Sequence, residues 1–289
     1  MKFPKVVIMG LGYIGLPTAA LIAGKGIAVH GVDVNEEAVN IINQGKIHIV
    51  EPDLEGLVNY AVTHGFLKAY TLAAQADVFL IAVPTPFKHE DYSADLKYVF
   101  SATDMLVPFL REGNTVILES TSPAGTTEKV AARIFEQRPE LTDKIFLAYC
   151  PERVLPGKVI HELVNNDRAI GGINQASTEK AAAFYSLFVK GELHKTDART
   201  AEMCKLVENS YRDTNIAFAN ELSMICEQAG INVWELISLA NKHPRVNILQ
   251  PGPGVGGHCI AVDPWFIVHD FPEQAQLIRK AREVNTEKA

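Results

Sequence analysis

Cysteine is scarce. The 289 residues hold four, Cys150, Cys204, Cys226 and Cys259, with no C-x-x-C spacing. That removes a disulfide scaffold and a zinc ribbon, and it suits a reduced, cytoplasmic protein without a metal site. No apolar run approaches the ~20 residues of a membrane span. The opening Met1, Lys2 and Phe3 lead directly into a short β-branched run, so no signal peptide is expected. Positive charge is not in excess: 27 Lys+Arg stand against 34 Asp+Glu, a net charge of −7. A broad nucleic-acid footprint is thereby disfavoured, and any anionic ligand must be held by local donors. Internal repeats and low-complexity tracts are also missing. What is there is ordinary globular composition, 47% hydrophobic and 21% charged, at a length that corresponds to about two domains.

Five runs read as strands: Lys5 to Met9, Ala28 to Val32, Ala76 to Val83, Thr115 to Leu118 and Ile145 to Ala148. Helical patterns lie between them, from Tyr13 to Lys25, Leu96 to Leu110 and Thr127 to Gln137. Strands alternating with helices predict an α/β fold, a doubly wound Rossmann-like parallel sheet. The second half is all-helical. Arg199 to Ala229 is one long amphipathic pattern, with Met203, Leu206, Val207, Ser210, Tyr211, Thr214, Ala217, Phe218, Leu222 and Ile225 near period 3.6, stopped by Gly230. Asn232 to Ala240, Asp263 to Val268 and Gln274 to Glu287 continue it, around a Pro/Gly-rich loop from His243 to His258. The expected domains are residues 1–198 and 199–289.

Gly10-Leu11-Gly12-Tyr13-Ile14-Gly15 matches G-x-G-x-x-G after a strand and before a helix. Such glycines allow a tight turn, close approach of a pyrophosphate, and helix–strand packing, while the helix N-terminus offers free N–H groups to phosphate. Asp33 closes the next strand at about the ~20-residue distance where an acid holds ribose hydroxyls and repels a 2′-phosphate. A dinucleotide site is predicted, for NAD rather than NADP. Thr85, Thr121 and Thr126 border the expected crevice, and turn or cap chemistry explains them equally well.

Lys205 and Asn209 are spaced i, i+4 and share a helix face. A helical lysine is usually solvated, but an ammonium and an amide beside a dinucleotide domain suit an oxyanion. Cys150, Cys204 and Cys226 sit in strand or helix patterns and read as inert core residues. Cys259 ends the glycine loop Gly254-Val255-Gly256-Gly257-His258-Cys259, where a thiolate has access to an aldehyde carbon; a structural loop thiol is the rival reading. Asp263, four residues on, is placed to hold a lysine or a water.

The segments GLGYIGLPTAA, IHIVEPDL, IAVPTPF, LESTSPAGTTEK, YCPERVLPG, RTAEMCKLVENSYRD, NIAFANELS, HPRVNILQPGPGVGGHCIAVDPWFIV and LIRKAREVN together resemble the UDP-glucose/GDP-mannose dehydrogenase family. The resemblance implies oxidation of a UDP-sugar C6 alcohol to a carboxylate with two NAD, for surface polysaccharide precursors. It implies that Lys205 and Asn209 stabilise oxyanions, that Lys205 also moves protons, and that Cys259 forms a thiohemiacetal and then a thioester. Thr121, Glu152 and Asp263 order or activate water. Arg153, Val154, Arg212, His243, Arg245 and Gly256 contact the nucleotide sugar, with Arg245 matching a position that serves a neighbouring subunit, hence a homodimer through the central helices.

Pro156 stands where the UDP-glucose branch has an acid, and His258 where it has a serine. Both favour the N-acetylmannosamine branch and weaken a UDP-glucose reading; oxidation of UDP-glucose or UDP-N-acetylglucosamine stays as the alternative within the family. Family members continue into a second α/β domain, so a truncated chain with little turnover is expected. A β-hydroxyacid dehydrogenase is the enzymatic alternative, lacking a need for the cysteine loop. An NAD-binding dimeric fragment without turnover is the non-enzymatic one.

Overall fold

The computed structural model describes residues 4–257 and 259–288. His258 and the opening residues 1–3 lie outside the described residues.

The strands are β1 (Val6–Met9), β2 (Val29–Val32), β3 (Leu67–Tyr70), β4 (Val78–Ile81), β5 (Thr115–Leu118), β6 (Phe146–Tyr149), β7 (Arg168–Gly172) and β8 (Leu193–Asp197). Helices α1 (Gly15–Ala23), α2 (Glu36–Asn43), α3 (Leu54–Thr63), α4 (Lys97–Leu106), α5 (Thr126–Gln137), α6 (Val159–Asn165) and α7 (Gln175–Tyr185) alternate with them. After β8 come α8 (Ala198–Ala229), α9 (Val233–Ala240), α10 (Asp263–Asp270) and α11 (Gln276–Lys288).

The sheet order is β3-β2-β1-β4-β5-β6-β7-β8. All neighbours are parallel except β6 and β7, which pair antiparallel through Ala148↔Gly172 and Tyr149↔Gly171. The expected doubly wound parallel sheet is thus present, with this one antiparallel pair inside it. β1, β4 and β5 are buried along their whole length, which is why their sequences are continuous apolar runs. In β1 the period of two is still visible, because Val6 and Ile8 enter one core and Val7 and Met9 the other. Two cores on opposite faces are the mark of a doubly wound sheet. The strand order reverses between β1 and β4, and a crevice opens at such a switch point beyond the strands' C-terminal ends.

Packing divides the chain into two compact units, Met1–Pro86 with Leu96–Met203, and Phe87–Asp95 with Cys204–Ala289. The division thus falls inside α8 rather than before it. Ala201 is fully buried in the sheet core, and Glu202 accepts from Gly125 N, Thr127 N and Thr127 Oγ1, so the first turns of α8 belong to the sheet unit. The segment Phe87–Asp95 joins the helical unit through Tyr92, whose ring stacks on Trp265 at 4.0 Å, and through Asp91 O, which bonds His269 Nδ1 at 2.9 Å.

Along α8 the apolar positions split between two faces. Leu206, Ser210 and Ala217 are buried, whereas Val207, Tyr211, Phe218 and Ile225 are 49–69% exposed. The buried face also carries polar residues: Glu202, Asn209, Asp213 and Asn220. No helix among the described residues is long and apolar enough to cross a membrane.

Candidate active site

In the sheet unit a cavity of about 700 Å³ lies at the switch point, lined by Gly10, Gly12, Tyr13, Ile14, Asp33 and Val83 among others. The glycines act differently. Gly10 has φ +90°, and a Cβ on Gly15 would sit 1.8 Å from Gly10 O, so Gly15 lets α1 press against the turn. A Cβ on Gly12 would meet nothing within 4 Å. Packing therefore does not require a glycine at Gly12, and its bare backbone leaves the crevice open there. Gly12→Ala is expected to leave the unfolding midpoint unchanged while cutting NAD affinity at least ~10-fold, about 1.4 kcal/mol by calorimetric titration. Unchanged affinity would detach the turn from the cofactor.

Asp33 is preset by its own backbone surroundings. Its Oδ2 accepts from Leu11 N and its Oδ1 from Asn35 N, each at 2.9 Å. A carboxylate has about four lone-pair sites, so two remain for ribose hydroxyls. Thr85 Oγ1 donates to Thr121 O at 2.6 Å and ties together the turns that follow β4 and β5. Thr126, expected either to border the cofactor crevice or to serve the turn, shows the second role here. Its side chain is fully buried and donates to Pro123 O, which is cap chemistry. The adjoining N–H groups at the start of α5 are taken by Glu202, whose carboxyl is pushed up from its ordinary range by burial.

Glu152 follows β6, is buried, and accepts from Val154 N at 2.8 Å. Half-buried Arg153 donates to Asp167 O. Behind this turn lies a buried cluster that the sequence did not announce. Tyr185 Oη donates to Glu119, and the Arg168 guanidinium lies over the Tyr185 ring and reaches Cys150 Sγ. Burial pushes the Cys150 thiol up to about 11, so it stays protonated and inert.

In the helical unit the structure brings Asn209, Asp263 and Lys205 together. Asn209 Nδ2 donates to Asp263 Oδ2 at 2.6 Å, with both side chains buried. The Asp263 carboxyl is pushed up to about 6, first by burial; the Asn209 bond and the charge of half-buried Lys205 pull it back down. A carboxyl poised near neutrality, touching an amide and near an ammonium, can exchange protons at working pH. Cys259 is exposed, and its carbonyl accepts from Val262 N and Asp263 N. The loop that carries the thiol therefore ends on the first turn of α10, where Asp263 stands. Cys226 is buried, as expected, but Cys204 is exposed: its helical position faces outward, correcting the core reading. Arg212, His243, Arg245 and Gly256 are also exposed, and His243 Nδ1 accepts from Arg245 N at 3.3 Å.

Missing from the sequence reading were Glu202, Asp213 and Asn220. The signal was present as polar residues recurring with Asn209 on one helical face.

The sequence profile of the UDP-glucose/GDP-mannose dehydrogenase family, NAD binding domain, matches residues 4–189, and that of the family's central domain matches residues 199–287. The UDP-N-acetyl-D-mannosamine dehydrogenase of Escherichia coli (strain K12) is 60% identical over 100% of this chain and 70% of its own length. The NDP-N-acetyl-D-galactosaminuronic acid dehydrogenase of Ralstonia nicotianae is 59% identical over the same shares. The solved UDP-D-ManNAc dehydrogenase from Pyrococcus horikoshii superposes with a TM-score of 0.92 at 41% identity, covering 98% of this chain and 68% of that one.

Proposed function

The chain belongs to the UDP-glucose/GDP-mannose dehydrogenase family, and from that premise we propose that its protein oxidises the C6 alcohol of UDP-N-acetyl-D-mannosamine to the uronic acid. The observation that carries the reading is the Asn209–Asp263 pair beside Lys205, on the same helix start that holds the carbonyl of Cys259. A one-step alcohol dehydrogenase has no use for a thiol there.

NAD is the cofactor, and when bound it accepts one hydride in each of two oxidations. Gly10, Gly12, Tyr13, Ile14, Gly15, Asp33, Thr85 and Thr121 are the residues proposed to hold it, and the open side of Gly12 and the spare lone pairs of Asp33 fit that task. The chain's own residues do the rest. Lys205 and Asn209 hold the C6 oxygen as its proton and a hydride leave, giving an aldehyde. The Cys259 thiolate forms a C–S bond to that carbon, and the carbonyl π pair moves to oxygen, again against Lys205 and Asn209. Loss of the second hydride leaves a thioester. Water then adds, the C–S bond breaks, the acid departs and the thiol is restored. Asp263 takes a proton from that water, and Thr121 and Glu152 enter on the resemblance as groups that order it. Overall, alcohol, two NAD and one water become carboxylic acid, two NADH and two protons.

Arg153, Val154, Arg212, His243, Arg245 and Gly256 are proposed to contact the UDP-sugar, a guanidinium being suited to a diphosphate. The exposed stripe of Val207, Tyr211, Phe218 and Ile225 supports a homodimer through α8, because such a row along a helix is rarely left to water. Phe218→Asp is expected to convert a dimer to a monomer by light scattering; an unsubstituted protein that runs as a monomer would contradict it. A cytoplasmic location follows from the proposed substrate and cofactor.

The galactosaminuronate relative, of nearly equal identity, favours a second substrate reading within the same chemistry. An NADH-release assay over UDP-N-acetylmannosamine, UDP-N-acetylgalactosamine, UDP-glucose and a β-hydroxyacid decides. The first is expected to be fastest, and turnover confined to the β-hydroxyacid would overturn the proposal.

A further inference from the structure

The loop that carries Cys259 has an unusual need for an anchor. Pro251 and Pro253 have no N–H, so Gly252 owns the one main-chain donor in three successive residues. Downstream, Gly254 and Gly257 have φ of +77° and +86°, in a stretch where glycine resists no backbone motion. Among the described residues, these bonds bear on the segment. Asn241 clamps Ile248 through both its N–H and its carbonyl. The Cys259 carbonyl is bonded to the start of α10. Between them, Gly252 N donates to Asn220 Oδ1 at 2.8 Å, and Gly252 O accepts from Gly254 N.

Asn220 is itself held in one sense. Its Oδ1 faces Gly252, so its Nδ2 needs an acceptor, and Asn285 Oδ1 supplies it at 2.8 Å. Asn285 must then donate onward, which it does to Asp213 Oδ1 at 2.8 Å and Asp213 O at 3.0 Å. Arg282 Nη1 donates to the same Oδ1 at 2.6 Å. All four side chains are at most 5% exposed. Asp213 Oδ1 and the Asp213 carbonyl both accept, so Asp213 fixes the direction of both amides. A reversed Asn220 would set an NH₂ against the Gly252 N–H and an oxygen against the oxygen of Asn285.

We propose that Asn220 is a positioning residue for Cys259: oriented by Asn285 and Asp213, it fixes Gly252 and thereby the loop that carries the thiol. The inference rests on the catalytic reading of Cys259. A misplacement of about 1 Å between reacting groups costs on the order of 10²-fold in rate. The step that needs the thiol, aldehyde to acid, is therefore the one this relay serves, while the first oxidation, run by Lys205 and Asn209, is largely spared.

The test compares Asn220→Ala, Asn220→Asp and Asn43→Ala in the full chain, with Cys259→Ala alongside. Asn43 bonds Ala69 N and O in the sheet unit, so its loss weakens the fold without touching the loop. Asn220→Asp keeps an acceptor for Gly252 N. Asn220→Ala is expected to slow oxidation of the UDP-sugar aldehyde at least ~10-fold and to lower NADH per sugar from two toward one. Asn220→Asp, whose second oxygen meets Asn285 Oδ1 in place of a donor, is expected to fall between Asn220→Ala and the unsubstituted chain, and Asn43→Ala to keep it at two, whatever their unfolding midpoints. A ratio that stays at two in Asn220→Ala, or falls equally in Asn43→Ala, overturns the proposal. Should Asn220→Ala not fold, amide exchange in the unsubstituted chain decides: Gly252 N–H is expected to exchange as slowly as the α8 core, and rapid exchange overturns the anchor. If Cys259→Ala itself yields acid with two NADH, the catalytic reading fails, a result distinct from any of these.

Discussion

Cys259→Ala should stop oxidation at the aldehyde. Acid formation is expected to fall at least ~10³-fold, the scale on which removal of a covalent nucleophile acts. NADH per sugar consumed should drop to one, and an added amine nucleophile should trap the aldehyde. Stability should not change, because the side chain is exposed and fills no part of the core. That combination separates the reading from its rival: a structural thiol would move the unfolding midpoint and leave the product ratio alone. Cys204→Ala is the matched comparison, exposed likewise but on the surface of α8. It is expected to alter neither quantity. Product analysis by mass spectrometry, run with thermal unfolding, checks both.

Asp263→Asn should change activity and stability in opposite directions. Burial holds the Asp263 carboxyl at about 6, well above its unfolded value of about 3.9. Below pH about 6 the group carries a proton and cannot take one from water, so turnover is expected to fall on the acid side with that apparent pKa. The asparagine keeps an acceptor for Asn209 but has no charge to titrate. Its rate should be lower by about 10²–10⁴-fold and its acid limb absent. For stability the sign follows from the raised pKa. The fold prefers the protonated form, so this group's contribution is fully present below pH about 4 and is lost as pH rises through about 6. Asp263→Asn removes that loss. It should be more stable than the unsubstituted chain at neutral pH, by roughly 1–3 kcal/mol, with the gap closing near pH 4. A variant that is slower and also less stable at neutral pH would mean that Asp263 serves the fold first.

The parts of this fold that the sequence disclosed are those where one physical demand dominates. β1, β4 and β5 are buried on both faces and read as unbroken apolar runs. The G-x-G-x-x-G turn and Asp33 were legible because backbone geometry leaves few alternatives there. β3, β7 and β8 stayed hidden. β3 alternates buried and exposed residues at one sheet edge, and β8 is largely exposed at the other. β7 is short, begins with an arginine and ends in two glycines, and its antiparallel turn against β6 has no local signature. The extent of α8 was legible and its faces were not. A stripe such as Val207, Tyr211 and Phe218 looks the same in sequence whether it meets a core, a partner or water.

The site divides in the same way. Lys205 and Asn209 could be paired by helical spacing, but the partner of Asn209, Asp263, is 54 residues away in sequence and is found only in three dimensions. Cys204 lies in a helical pattern that reads as core, and its exposure reverses that reading, because the period alone does not say which face meets the core. Asp213 and Asn220 recur with Asn209 on one helical face, but their link to Arg282 and Asn285 leaves no such signal. Each is an unremarkable polar helical residue, and their meaning lies in mutual orientation, which no spacing rule records.

The central claim is a four-electron oxidation carried through a cysteine. Its most direct test is the number of NADH formed per UDP-N-acetylmannosamine consumed, with the acid product identified. The account predicts two NADH and the uronic acid. One NADH per sugar, with an aldehyde or ketone as the end product, would contradict it.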